Sequence, residues 1–161
     1  MEINFRKMGN RDILEIEDAR IVFRNFSGTP DDFTREGDRS FAVIISDQDT
    51  ADALIEEGWN VKIRAPRDEN DEPFMFLKVK VNYGNGRGPG AYVQSGNSVT
   101  RLNEDTIGML DQIDIASVDM DVRAYDWEKH GNSGRTAYLD NINVIQRIDR
   151  FGARYAEEGL I

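Results

Sequence analysis

The sequence contains no cysteine. That excludes a disulfide framework, a thiolate metal site and a cysteine nucleophile. Histidine occurs once, at His130, inside His130-Gly131-Asn132-Ser133-Gly134, which reads as a hairpin turn. A serine–histidine site needs a buried, oriented imidazole, and a solvated turn does not provide one. Positive charge is in deficit: 20 Lys and Arg against 30 Asp and Glu give a net charge of −10. A surface coated with basic residues, as in a general duplex binder, is therefore excluded. A local basic groove on an otherwise acidic surface is not. The apolar runs are too short to span a bilayer. Met1-Glu2-Ile3-Asn4-Phe5-Arg6 lacks the apolar region of a signal peptide, so a cytoplasmic protein with no membrane partner is expected. There is no Walker glycine loop, no zinc set and no internal repeat, and no cofactor is expected.

What is present is β-strand pattern. The 161 residues, 39% of them hydrophobic, suit a single domain over 1–150 followed by a short tail, 151–161. Residues 12–16 and 19–26 read as two strands or one bent strand, turning at Glu17-Asp18, with Ile21 and Phe23 on one face and Val22, Arg24 and Phe26 on the other. Residues 40–46 read as a buried strand. A short helix follows over 51–57, started by acidic and hydroxyl residues and stopped by Gly58. Residues 59–64 return to strand, with Trp59, Val61 and Ile63 inward and Asn60, Lys62 and Arg64 outward. A glycine-rich loop at 83–92 leads to two short strands and a second short helix over 104–111, capped by Asn103. Residues 116–128 and 135–147 form a long terminal hairpin. Several short strands with two short helices give a mostly-β domain: an OB-fold-like β-barrel with an extended terminal hairpin, or alternatively a β-sandwich.

The clearest alternation is Phe74-Met75-Phe76-Leu77-Lys78-Val79-Lys80-Val81-Asn82-Tyr83. One face carries Met75, Leu77, Val79, Val81 and Tyr83 and belongs in a core. The other carries Phe74, Phe76, Lys78, Lys80 and Asn82. Aromatic rings are flat surfaces for base stacking, and ammonium groups neutralise phosphates. The plainer reading is a solvated strand face whose two Phe residues are covered by a loop. The preceding strand adds Lys62 and Arg64, and the glycine loop adds Tyr83, Arg87 and Tyr92, which could close over a bound strand. Arg123, Tyr125 and Trp127 make a second aromatic–basic stripe, for which a core or interface role is the alternative. Cations interleaved with aromatics across adjacent strands are what single-stranded nucleic acid requires.

The alternatives have weaker support. Asp119, Asp121 and Asp140 could converge as a two-metal nuclease site, but Arg123 on the same face points to ordinary cross-strand pairing. A virion structural or assembly protein would explain the β pattern alone. A DNA-mimicking inhibitor would explain the acidic charge but not the aromatic–lysine face.

Ile21-Val22-Phe23-Arg24-Asn25-Phe26-Ser27-Gly28, Phe33, Gly37-Asp38-Arg39-Ser40-Phe41, Glu57-Gly58-Trp59-Asn60-Val61-Lys62, Leu110-Asp111, Tyr125-Asp126-Trp127-Glu128 and Gly134-Arg135-Thr136-Ala137-Tyr138-Leu139 together resemble the pattern of small bacteriophage single-stranded DNA-binding proteins of OB-fold type. The resemblance covers most of residues 19–147. It implies a non-enzymatic protein that coats single-stranded DNA in phage replication or recombination, in the host cytoplasm. Replication or recombination proteins and a second copy of the chain are its further implied partners. Many such proteins end in an acidic tail with an apolar tip, which Ala156-Glu157-Glu158-Gly159-Leu160-Ile161 matches only faintly.

Overall fold

A computed structural model describes every residue except 33, 67, 71, 72, 85, 87, 149, 150, 152, 153, 155, 156, 160 and 161. Phe33, Arg87 and much of the expected tail thus lie outside the described residues. The strands are β1 (Glu2–Met8), β2 (Arg11–Ala19), β3 (Ile21–Asn25), β4 (Arg39–Ile45), β5 (Val61–Arg64), β6 (Phe74–Val81), β7 (Gly90–Ser95), β8 (Ser98–Leu102), β9 (Ile115–Lys129) and β10 (Asn132–Gln146). Helix α1 (Gln48–Glu56) lies between β4 and β5, and a 3-10 helix (Ile107–Asp111) lies between β8 and β9.

The strands form one sheet, in the order β1-β2-β9-β10-β6-β4-β3. That hydrogen-bonded path is open. Its β2 and β3 are nevertheless consecutive in the chain, separated only by Arg20, whose carbonyl accepts from Ile44 N–H at 3.0 Å. One bent strand therefore borders β9 at one end and β4 at the other, and the sheet curls on itself. Around this ring β6 and β10 run parallel, Ala137 opposite Val79 and Tyr138 opposite Lys80, while the remaining neighbours are antiparallel. The fold is mostly β and OB-like, a partly open five-stranded barrel of β2/β3, β4, β6, β9 and β10.

The core follows from alternation. Leu77, Val79 and Val81 of β6, Phe41, Val43 and Ile45 of β4, and Val118, Met120 and Val122 of β9 all point inward and are buried. Phe26 stacks on Phe41 with ring centres 5.0 Å apart. Helix α1 starts at Asp47, whose carboxylate accepts from Thr50 N–H at 3.0 Å, and buries Ala51 and Leu54. The terminal hairpin turns through His130 and Gly131, with φ of 53° and 80°, the geometry of a two-residue primed turn.

Several details depart from the pattern. β1 was not legible, because six of its seven residues are exposed. Phe23 does not share the inward face of Ile21. Its φ of +53° accompanies a register shift between Val22 and Asn25, and the ring emerges on the surface, 54% exposed. Ile63 is not inward either but 58% exposed: β5 packs on the core only at Val61, and its remaining three residues are exposed. The expected second short helix is a 3-10 turn begun by Thr106, with Asn103 accepting from Asp105 and Thr106 N–H just before it.

Candidate nucleic-acid interface

β6 is the central strand of the outer surface. β4 borders it throughout, Arg39 to Ile45 against Val81 to Met75. Its other edge is shared by β5 and, further along, β10. Lys62 lies opposite Phe76 and Arg64 opposite Phe74. The six side chains Lys62, Arg64, Phe74, Phe76, Lys78 and Lys80 therefore share one face, as their alternation with Leu77, Val79 and Val81 requires.

Phe74 and Phe76 are half-buried. Their ring centres are 5.5 Å apart, and Phe23 stands edge-on to both, at 6.0 and 5.8 Å. Arg64 lies 5.3 Å from the centre of the Phe23 ring. The result is a three-ring platform with one half-exposed ring and a guanidinium over it. Sequence reasoning missed Phe23 as a site residue; only its bulge, with a rarely occupied φ for a bulky side chain, brings it here.

A groove of about 690 Å³ runs from this platform along β6 and is lined by Phe23, Phe76, Lys62, Arg64 and Lys78 on one side. Its opposite wall is the loop between β3 and β4, through Ser27, Thr29, Pro30 and Thr34. The two ends of that loop are tied down. Asn25 Oδ1 accepts from Gly28 and Thr29 N–H, and Gly37 N–H donates to the Gly28 carbonyl at 2.9 Å. Asp111 takes Phe26 N–H on one oxygen and Ser27 N–H on the other, at 2.8 and 3.0 Å. Arg24 donates to the carbonyls of Leu110 and Ile113 from below. A second depression of about 480 Å³ shares Thr34, Ser40 and Lys78 with the first and continues it past Lys80 to Tyr83 and Tyr138.

Lysines 62, 78 and 80 repel one another across this face. Burial holds the Lys78 ammonium below its ordinary 10.5, with further lowering by Lys62 and Lys80 and a smaller opposing pull from Asp38. An arriving anion relieves that repulsion. Tyr83 is half-buried at the end of the trail, under Arg39 at 5.2 Å. Burial pushes its phenol above the ordinary range, with Arg39 working against the shift.

The β9–β10 arm joins the same face. Arg123 lies opposite Tyr138, and Tyr138 lies opposite Lys80, so parity puts all three on one side of the sheet. Arg123 sits 5.1 Å from the Tyr138 ring, which Tyr125 meets edge-on at 6.2 Å. Tyr138 was not singled out in the sequence; its resemblance motif was the only signal. Trp127 lies further out, opposite Gly134, where a Cβ would fall 2.6 Å from the indole. Tyr92 is set apart: it faces Asn143 on β10, about 16 Å along that strand from the Tyr138–Lys80 pair. Arg87 lies outside the described residues. Among the described residues no group of three or more His, Asp or Glu is placed to hold a metal ion. Asp119 instead accepts from Asp18 N–H, and Asp121 from Asn141 Nδ2.

Residues 5–160 match the family described as "Putative phage ssDNA-binding domain". The chain belongs to this phage single-stranded-DNA-binding family. No curated protein matches by sequence. The fold of this family member is shared with the single-stranded DNA-binding protein of bacteriophage Enc34, at a TM-score of 0.53 and 10% identity over 94% of this chain and 93% of that one. The structure of the Enc34 protein in complex with single-stranded DNA superposes with a TM-score of 0.50 and 10% identity, covering 91% of this chain and 96% of that one.

Proposed function

We propose that this family member binds single-stranded DNA with little sequence preference, in the groove between the β3–β4 loop and the β9–β10 arm. In OB folds the corresponding face and loops take oligonucleotides. The observation that carries the reading is the single outer face of β5 and β6. It puts the Phe23–Phe74–Phe76 platform beside Lys62, Arg64, Lys78 and Lys80. The rings stack bases regardless of identity, and the cations track the backbone. Arg123, Tyr125 and Tyr138 extend the surface along the arm, with Trp127 at its outer end. The surrounding acidic surface discourages loose duplex contacts.

The family and its structural neighbours are DNA-binding proteins, which supports a binding role without catalysis in phage DNA replication or recombination. The host cytoplasm is the corresponding location; among the described residues no helix is long and apolar enough to cross a membrane. Residues 1–150 would act as one binding domain, with replication or recombination proteins and a second copy as further partners. A fluorescence titration with oligo(dT) and with duplex DNA, each at two salt concentrations, tests the reading. Tight, salt-sensitive binding of the single strand over duplex is expected. No binding at low salt, or equal preference for duplex, would sink it.

A further inference from the structure

The outer face does not stop at the aromatic platform. Lys62, Phe76 and Ile44 form one row across β5, β6 and β4. The next position in that row is Arg20, whose carbonyl accepts from Ile44 N–H. Ala19 before it is fully buried and Ile21 after it packs against the core, so alternation turns the Arg20 side chain outward. Two strand spacings, about 10 Å, separate Arg20 from Phe76.

Arg147 reaches the same place from the end of β10, where its N–H donates to the Asp114 carbonyl at 2.8 Å. Arg20, Arg24, Arg147 and Asp114 line a depression of about 370 Å³ with Val22 and Ile44 among its apolar walls. Arg24 also borders the main groove, so the two depressions meet there. Three arginines and one aspartate thus line it, in a chain of net charge −10. Arg24 is fixed by backbone carbonyls. Arg20 and Arg147 are exposed and take part in none of the ion pairs among the described residues. Guanidinium forks are well matched to phosphate oxygens.

We infer that the bound strand continues past Phe23 across Ile44 and Val22, and that Arg20 and Arg147 take its phosphates. This extends the site beyond the groove and rests on the single-stranded-DNA reading above. The test is a length series: wild type and an Arg20→Gln/Arg147→Gln variant titrated with oligo(dT) of about 4, 8, 12 and 16 nucleotides. Both positions are exposed, and a thermal melt confirms that the variant folds. The two proteins should bind the shortest oligonucleotide equally. On the longest, the variant should lose roughly tenfold in affinity, and its salt slope should fall by about 1.4, the share of two phosphates on a single strand. Asp114→Asn should strengthen binding of the longest oligonucleotide only. The same affinity for variant and wild type at every length overturns the inference, and so does the same loss at every length. A wild type that binds no oligonucleotide overturns the underlying reading and this one with it.

Discussion

The Arg64 guanidinium lies 5.3 Å from the centre of the Phe23 ring, although the two residues come from strands on opposite sides of β6. Arg64 reaches from β5, and Phe23 from a bulge in β3 that no alternating strand would produce. The pair closes the platform over Phe74 and Phe76. It also sets a positive charge beside a ring that is 54% exposed.

Phe23→Ala should weaken oligo(dT) binding by about 1–3 kcal/mol, the usual worth of one stacked base. Its ring is 54% exposed, so the melting temperature should hold. Phe23→Gly should lose as much affinity while melting no lower than Phe23→Ala, because glycine adopts the φ of +53° without strain. A fall in melting temperature with unchanged affinity in either variant would instead make the ring structural.

Lys78→Ala combined with Lys80→Ala should flatten the plot of log affinity against log salt by about 1.4, two phosphate contacts at roughly 0.7 each. The measurement is the same titration at four or more salt concentrations. An unchanged slope would remove both lysines from the backbone track.

Proton linkage follows from the lowered Lys78. Its ammonium is destabilised in the free protein, chiefly by burial and then by Lys62 and Lys80, and a phosphate beside it restores the charged form. Binding should therefore take up a proton, and affinity should fall as pH rises through a value below the ordinary 10.5. Lys78→Arg stays charged and should keep its affinity over the alkaline range in which the wild type loses it.

Arg135 is the structural counterpart of the proposed binding cations. Its guanidinium pairs with Asp12 at 2.8 Å and Asp126 at 2.7 Å, donates to the Glu57 carbonyl at 2.9 Å, and sits 5.1 Å from the Trp59 ring. Arg135→Ala should cost about 2–3 kcal/mol in a denaturant melt. Its affinity for oligo(dT) at low temperature should not change. Hydrogen bonds from Arg135 hold Asp126 below the ordinary 3.8. A carboxylate with a lowered folded pKa stabilises the fold above its unfolded value, and that contribution is lost as pH falls through the folded one. Acid melts of Asp126→Asn should accordingly be flatter below about pH 4 than those of the wild type.

Gly134 explains the position of Trp127. Gly134→Ala would put a methyl group 2.6 Å from the indole and force it off the hairpin. Trp59 is buried and Trp127 is not, so the change should appear as a red shift of the exposed component in the emission spectrum. No shift would mean that the indole does not rest on Gly134.

Much of the candidate interface could be read directly. The alternation of β6 separated Leu77, Val79 and Val81 from Phe74, Phe76, Lys78 and Lys80, because a strand with a core behind it must turn every second residue outward. The same rule found Lys62 and Arg64. It failed at Ile63, where β5 has run past the core that Val61 touches, and at Phe23, where a bulge resets the period. It was silent on β1, whose exposed residues carry no burial pattern.

The scattered motifs became intelligible only in three dimensions. Asn25, Gly28, Gly37 and Asp111 meet in the clamp that holds the groove wall, although Asp111 lies 85 residues from Phe26 in the chain. Glu57, Trp59 and Asp126 meet around Arg135, through a backbone carbonyl, a ring face and an ion pair respectively. By itself the sequence determined the mostly-β class, the strand faces and the aromatic–cationic character of β5 and β6, since alternation and side-chain chemistry are local properties. Tertiary structure decided which faces adjoin. The parallel pairing of β6 with β10 set Tyr138 and Arg123 beside Lys80, and the bend at Arg20 carried the cationic surface past Phe23. Pairing between distant strands depends on long-range hydrogen bonds and shared burial, which no local pattern encodes.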